Sequence, residues 1–413
     1  MSGKHPTLFG GSMIIAGTVI GAGMLANPTA TSGVWYAGSL LVLVYTWFSM
    51  LVSGLMILEV NTHYPHGANL DTMAKDLLGR AWSTANGLSV AFVLYLLTYA
   101  YIFVGGNMSA QALGAVSGLE VPLAAGQLAF FALFAACVWW SARWVDRFST
   151  VLVGGMVIAF FWAAGGLAVS VKLPVLLDSA APPDTRYWIY LGTALPVCLA
   201  SFGFHGNVSS LLKYFRGDAP KVAKALKTGT LIALAVYIVW QTVVQGNLPR
   251  NQFGPVIRAE DNAAALIDTL AQFVPQSSLK SIIAFFSYTA IASSFLGVTL
   301  GLFDYLADLL GFDNSRAGRT KTAAVTFLPP LVCCLLFPTG FVTAIGYVGL
   351  AAAVWAAIVP ALMLAAARKK FGTAKNWHLA GGTWLVWWVL LFGAANILAQ
   401  LLSRAGKLPV FLG

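Results

Sequence analysis

The sequence predicts an all-α membrane protein with eleven transmembrane helices, and three observations lead there. Hydrophobic residues make up 59% of the 413 residues and charged residues only 9%, against about 25% charged in ordinary soluble domains. The mean hydropathy is +0.79, more apolar side chain than a water-facing surface leaves room to bury. Apolar runs of roughly 18 or more residues, long enough to cross a bilayer as helices, recur along nearly the whole chain. No linker or low-complexity tract is long enough to set off a second domain, so residues 1–413 read as one polytopic unit.

The runs fall at about 8–34, 37–61, 84–112, 122–141, 149–170, 188–214, 224–246, 279–311, 321–337, 341–366 and 381–403. The first follows Lys4 and His5 but is too long for a cleavable signal peptide and continues into the bundle. It is interrupted by Gly17-Thr18-Val19-Ile20-Gly21-Ala22-Gly23, with Asn27-Pro28 beyond. The sixth is interrupted by Ser201-Phe202-Gly203-Phe204-His205-Gly206-Asn207. A broken membrane helix frees backbone N–H and C=O groups that lipid cannot satisfy, so breaks persist only where protein, ligand or water supplies partners. Paired breaks at corresponding positions of two halves point to the substrate site of a secondary transporter.

Breaks in spans one and six divide the chain into two repeats of five spans, about 8–170 and 188–366, and an extra helix at about 381–403. Five is odd, so the second repeat enters from the opposite side and the pair is inverted. Similarity between the halves is negligible, and the repeat rests on span order and break position. Between spans two and three, 69–79 reads as a short amphipathic surface helix capped by Asn69 or Asp71 and ended by Gly79. Between spans seven and eight, 261–273 has near-helical apolar spacing and reads as a vestibule cap or a plain surface helix.

A net charge of +10 raises nucleic acid as a partner, but its distribution argues for a membrane instead. With the N-terminus inside, 17 of the 24 Lys and Arg residues face the cytoplasm and 7 face outward, the positive-inside pattern. The C-terminus then lies outside, and lipid is the surrounding partner. The four cysteines sit in apolar spans and read as reduced core packing.

At the first break, Gly17-xxx-Gly21 also matches the small-residue packing motif of membrane helices. The third glycine at Gly23, the Thr18 hydroxyl and Asn27-Pro28 favour a binding role. Glycine lets a ligand approach the backbone closely, and a half-helix N-terminus offers N–H donors to an anion such as an amino acid's carboxylate. The freed carbonyls of the preceding half-helix suit its ammonium. At the second break, His205 is the histidine at membrane depth, where ionisable groups are costly and usually functional. A hydrogen-bonded structural histidine stays open, as does core filling by Phe202 and Phe204 around Gly203. Glu59 and Asp304 are the intramembrane acids. Glu59 reads as a brace or a proton carrier, and Asp304 as a proton carrier or a residue reaching the interface. Tyr95 and Tyr99, Ser293 and Ser294 with Phe295, Tyr347 and Trp355 are further wall candidates.

Four strings carry a longer resemblance: Ile20–Met24, Ser53–Glu59, Ser201–Val208 and Ser293–Asp308. Through them the chain resembles the hydroxy- and aromatic-amino-acid permeases nearly end to end. The resemblance implies a leucine-transporter-like fold of the amino acid–polyamine–organocation superfamily in a bacterial inner membrane. It implies a proton-coupled symporter for an aromatic amino acid, tryptophan before tyrosine or phenylalanine, with no cofactor beyond the coupling proton. By position, Thr18, Gly21, Ala22 and Gly23 would hold the amino acid's backbone groups, and Phe202, Phe204, Tyr99 and Phe295 its side chain. Sodium is not implied, and Glu59, His205 or Asp304 would carry the proton. The family's proline after Asn-Val is Ser209 here.

Other function classes fit less well. An intramembrane enzyme needs a nucleophile or metal cluster within the spans, and none is spelled out. No phosphate-loop signature supports a primary pump. A channel or a non-translocating amino acid receptor remains a competitor, because a broken-helix site can bind without transporting.

Overall fold

The computed structural model describes residues 7–413 apart from 22, 66, 67, 69, 260, 261, 274–276, 338–340 and 375. Among the described residues every regular element is helical. The order is α1 (Leu8–Val19), α2 (Gly23–Ala30), α3 (Trp35–Asn61), α4 (Leu70–Leu78), α5 (Arg80–Ser117) and α6 (Leu123–Trp140). There follow α7 (Ala142–Val169), α8 (Leu173–Leu176), α9 (Leu191–Ser201), α10 (Asn207–Tyr214), α11 (Ala219–Asn247) and α12 (Phe253–Arg258). The last six are α13 (Asn262–Phe273), α14 (Ser277–Leu310), α15 (Arg316–Leu336), α16 (Phe341–Ala353), α17 (Val359–Phe371) and α18 (Gly382–Arg404). A π turn, Val354–Ile358, joins α16 to α17.

Each apolar run expected from the sequence contains helix, but not every one makes a full-length rod. Eight described helices are long and apolar enough to cross a membrane, and a ninth span results if α1 and α2, bent by 52°, count together. The shortfall has local causes. The run at 188–214 splits at Phe202–Gly206 into α9 and α10. Helix α15 begins with Arg316, Arg319 and Lys321 and contains Pro329 and Pro330.

Helix ends follow side-chain chemistry. Thr7, Asp218 and Ser315 accept the N–H of Gly10, Lys221 and Gly318, satisfying first-turn donors of α1, α11 and α15. The expected surface helix is α4. Asn69 lies outside the described residues, and Asp71 sits inside the first turn, where its carboxylate accepts from Ser83 Oγ at 2.8 Å. Gly79, at φ +87°, ends it with a conformation side chains avoid. The expected helix after span seven is α13, preceded by α12; Asp261 lies outside the described residues. Cys198 and Cys334 are buried as expected, but Cys137 is half-buried and Cys333 faces outward on α15.

Packing brings the two interrupted runs together at the centre. Helix α1 lies along α11, α2 lies along α9, and α3 contacts α9, α10 and α11. Helix α14 packs along both α7 and α5, and α5 packs on α6.

Candidate functional site at the helix breaks

The first break starts at Ile20, whose backbone turns extended at φ −72°, ψ 92°. The turn leaves the Val19 carbonyl without a helical donor, and the Tyr237 hydroxyl of α11 donates to it at 2.6 Å. The same hydroxyl stands 2.7 Å from the Ser201 carbonyl at the second break. One buried phenol thus serves orphan carbonyls of both interrupted helices, as backbone in a lipid environment requires. Tyr237 is 1% exposed.

Three further contacts hold the breaks face to face. Asn207 Nδ2 donates to Thr18 Oγ1 at 2.7 Å, and Thr18 Oγ1 donates to the Ile14 carbonyl at 2.8 Å. Ser201 Oγ lies 3.1 Å from the Gly23 carbonyl, 2.9 Å from Asn27 Oδ1 and 3.0 Å from the Val197 carbonyl. A Cβ on Gly23 would sit 3.0 Å from Ser201, so glycine is what lets α2 meet α9. A Cβ on Gly21 would run into Ser294 Oγ of α14, whereas one on Gly17 would meet nothing. The Gly17-xxx-Gly21 pair is therefore not a two-residue packing stripe; only Gly21 makes a close approach. Ser209, where the family has proline, sits in the first turn of α10 and accepts from Asn61 Nδ2 of α3.

The structure gathers some of the expected site residues and disperses others. Thr18, Gly21, Gly23, Phe202, Gly203, Phe204 and His205 meet at the breaks, while Ala22 lies outside the described residues. Gly203, Gly206 and Thr18 are exposed, so the protein does not seal the breaks on one side. Phe202 packs on Tyr237 with ring centres 5.0 Å apart. Phe204 stacks on His205 at 4.6 Å and fills the space left by Gly54, where a Cβ would come within 2.6 Å of its ring. His205 is 2% exposed, and neither ring nitrogen has a well-formed hydrogen bond. The Met50 carbonyl approaches the ring without the geometry of a full bond. Trp355, in the π turn, stands edge-on to His205 at 5.9 Å. Its Nε1 and Asn27 Nδ2 are also buried without partners. Buried polar atoms are rarely left this way, and four of them surround these breaks.

Other candidates point elsewhere. Ser293 Oγ donates to its own helix at the Ala290 carbonyl; Ser294 is the serine that meets Gly21, and it is also bonded to Tyr101. Phe295 is enclosed by Phe130, Phe134 and Phe327. Tyr95 donates to the Val325 carbonyl of α15 at 2.9 Å, and Tyr99 to the carbonyl of Phe337, just past the end of α15, at 2.7 Å. Pro329 has no N–H for the Val325 carbonyl four residues back, so Tyr95 supplies the missing donor. Tyr347 lies beneath the Arg404 guanidinium at 3.8 Å.

Of the acids, Glu59 is fully buried in a bidentate pair with Arg368, both bonds 2.8 Å, and also accepts the Leu379 N–H at 2.7 Å. It braces α3 to α17 and the segment before α18. Asp304 is exposed on α14. Tyr237 and Tyr101 escaped the sequence reading because a lone tyrosine in an apolar helix has no spacing signal; Ser201 was visible only as part of its string.

The sequence profile of the tryptophan/tyrosine permease family matches residues 4–400. A tryptophan-specific transport protein of Haemophilus influenzae is 55% identical over 99% of each chain. One from Pseudomonas aeruginosa is 50% identical over 99% of this chain and 97% of its own. A tyrosine permease of Enterobacter agglomerans is 42% identical over 89% of each.

Proposed function

From the fact that the chain belongs to the tryptophan/tyrosine permease family, we propose that it imports L-tryptophan by proton-coupled symport. As a member of that family it is a permease and not an enzyme. The observation that carries the reading is the joining of both breaks through Tyr237 and through Thr18 and Asn207. It supports a site where backbone groups at Gly21–Gly23 take the substrate's carboxylate and freed carbonyls take its ammonium. Tryptophan comes before tyrosine because the relatives with the higher identities above carry tryptophan in their names.

In this reading the fold completes eleven spans as two inverted repeats of five plus α18, in the inner membrane, with the N-terminus cytoplasmic and the end of α18 periplasmic. Alternating access follows when the bundle holding both broken helices rocks against the remaining scaffold. His205 takes the proton in preference to Glu59 or Asp304, because it stands at the breaks while the Glu59 carboxylate is occupied by Arg368. Cotransport of a proton with a neutral amino acid moves one net charge inward. Each 100 mV then supplies about 2.3 kcal/mol, roughly fifty-fold accumulation.

Purified protein in proteoliposomes is expected to acidify the lumen when tryptophan is added outside, and His205→Gln to lose that coupling. Uptake indifferent to both the pH gradient and the potential overturns symport. Equal competition by tyrosine and phenylalanine replaces tryptophan with a broad aromatic substrate, and ligand binding without counterflow indicates a receptor.

A further inference from the structure

A cavity of about 260 Å³ opens where the end of α2, the first turns of α9 and α16, and the end of α18 converge. Its wall carries Thr29, Thr193, Thr343, Gln400 and Ser403, together with the Arg404 guanidinium. No Asp or Glu lines it among the described residues. Among the described residues Arg404 is therefore a cation facing a polar hollow without a carboxylate from the lining to meet it. Its guanidinium rests on the Tyr347 ring at 3.8 Å, which holds the plane and leaves its N–H edge to bind.

The floor of the cavity ends one helical turn short of the second break. Val197 lines it, and the Val197 carbonyl is within 3.0 Å of Ser201 Oγ, one helical turn further in. The roof is the segment after α18. Phe411 packs edge-on to Tyr190 at 5.6 Å and lies under the Arg250 guanidinium at 4.3 Å. Arg250 also donates to the Gly33 carbonyl at 2.8 Å, and Arg258 to the Leu412 carbonyl at 2.7 Å. Polar groups, one exposed cation resting on a ring and an apolar roof suit a small zwitterion that carries a ring.

We propose that this cavity is an antechamber that receives the amino acid before the breaks do, with its carboxylate on Arg404 and its ring against Phe411. The inference rests on the substrate and the orientation given above. A carboxylate meets guanidinium as two parallel hydrogen bonds, which lysine cannot reproduce. The site therefore recognises the α-carboxylate and is indifferent to indole alone.

The test is radiolabelled tryptophan uptake into proteoliposomes carrying wild-type protein, Arg404→Gln or Thr343→Leu, which fills the hollow without altering charge. Both variants are expected to raise KM about tenfold, the size of one charge-assisted contact, with Vmax kept. In Arg404→Gln, inhibition by indole, which lacks the carboxylate, should stay at the wild-type level. Thermal unfolding in detergent checks that both variants fold. Unchanged KM in both, or equal loss of tryptophan and indole binding in Arg404→Gln, overturns the antechamber. Normal wild-type uptake beside those results leaves the transport reading standing, whereas wild-type vesicles that take up no tryptophan bring down both.

Discussion

Gly21 shows what a single missing methyl group does at the centre of the molecule. Its Cα faces Ser294 so closely that a Cβ would overlap the serine Oγ, while the serine Cβ would stand 3.7 Å away in ordinary contact. Gly21→Ala is therefore expected to destabilise the protein, and a second change, Ser294→Ala, to restore its unfolding temperature. If the glycine serves only packing, the double variant regains uptake as well. If it serves backbone contact with the substrate, stability returns and uptake does not. The glycines of both breaks were legible in the sequence because they interrupt apolar runs. Tyr237 was not legible, since its role depends on two carbonyls 182 positions apart that fold onto one hydroxyl.

At the scale of one helix, α15 explains why Tyr95 and Tyr99 turn from the breaks. Pro329 deprives the helix of the donor for the Val325 carbonyl, which Tyr95 of α5 supplies, while Tyr99, one turn on, donates to the Phe337 carbonyl just past the helix end. The sequence showed the tyrosine pair and the proline pair separately, but nothing in either announces the other. Tyr95→Phe leaves the Val325 carbonyl without its donor and should cost about 1–3 kcal/mol. Adding Pro329→Ala supplies a backbone N–H in its place, so the double variant should be more stable than Tyr95→Phe alone. Denaturation of the four members of that cycle measures the coupling.

Across the whole molecule, charged ties fasten the end where α3, α4 and α17 meet. Glu59 and Arg368 form one tie, buried on the carboxylate side. Asp76 forms another, accepting from the Tyr64 hydroxyl at 2.6 Å and from Lys370 at 2.9 Å. Those two partners, the hydroxyl foremost, hold the Asp76 carboxyl below its ordinary range. Its contribution is complete above the unfolded carboxylate range and fades as pH falls through the lower folded value. Glu59→Gln at neutral pH leaves Arg368 facing a neutral amide and should cost roughly 3–5 kcal/mol, read as a lowered unfolding temperature. Unchanged proton flux in the folded fraction would restrict Glu59 to bracing. Composition and run length were enough to expect a helical membrane protein, and the strings around Ser201 and Ser293 pointed to the family. Which side chains meet is a property of helix rotation and tilt, and residue spacing along one strand of sequence does not encode it.

The phenol of Tyr237 owns one hydrogen and has two takers. Should the halves slide past α11, that hydrogen can pass its allegiance from one broken rod to the other by a small rotation about the C–O bond. Neither rod need wait in oil with a bare oxygen for long, so the joint can shift at little energetic cost.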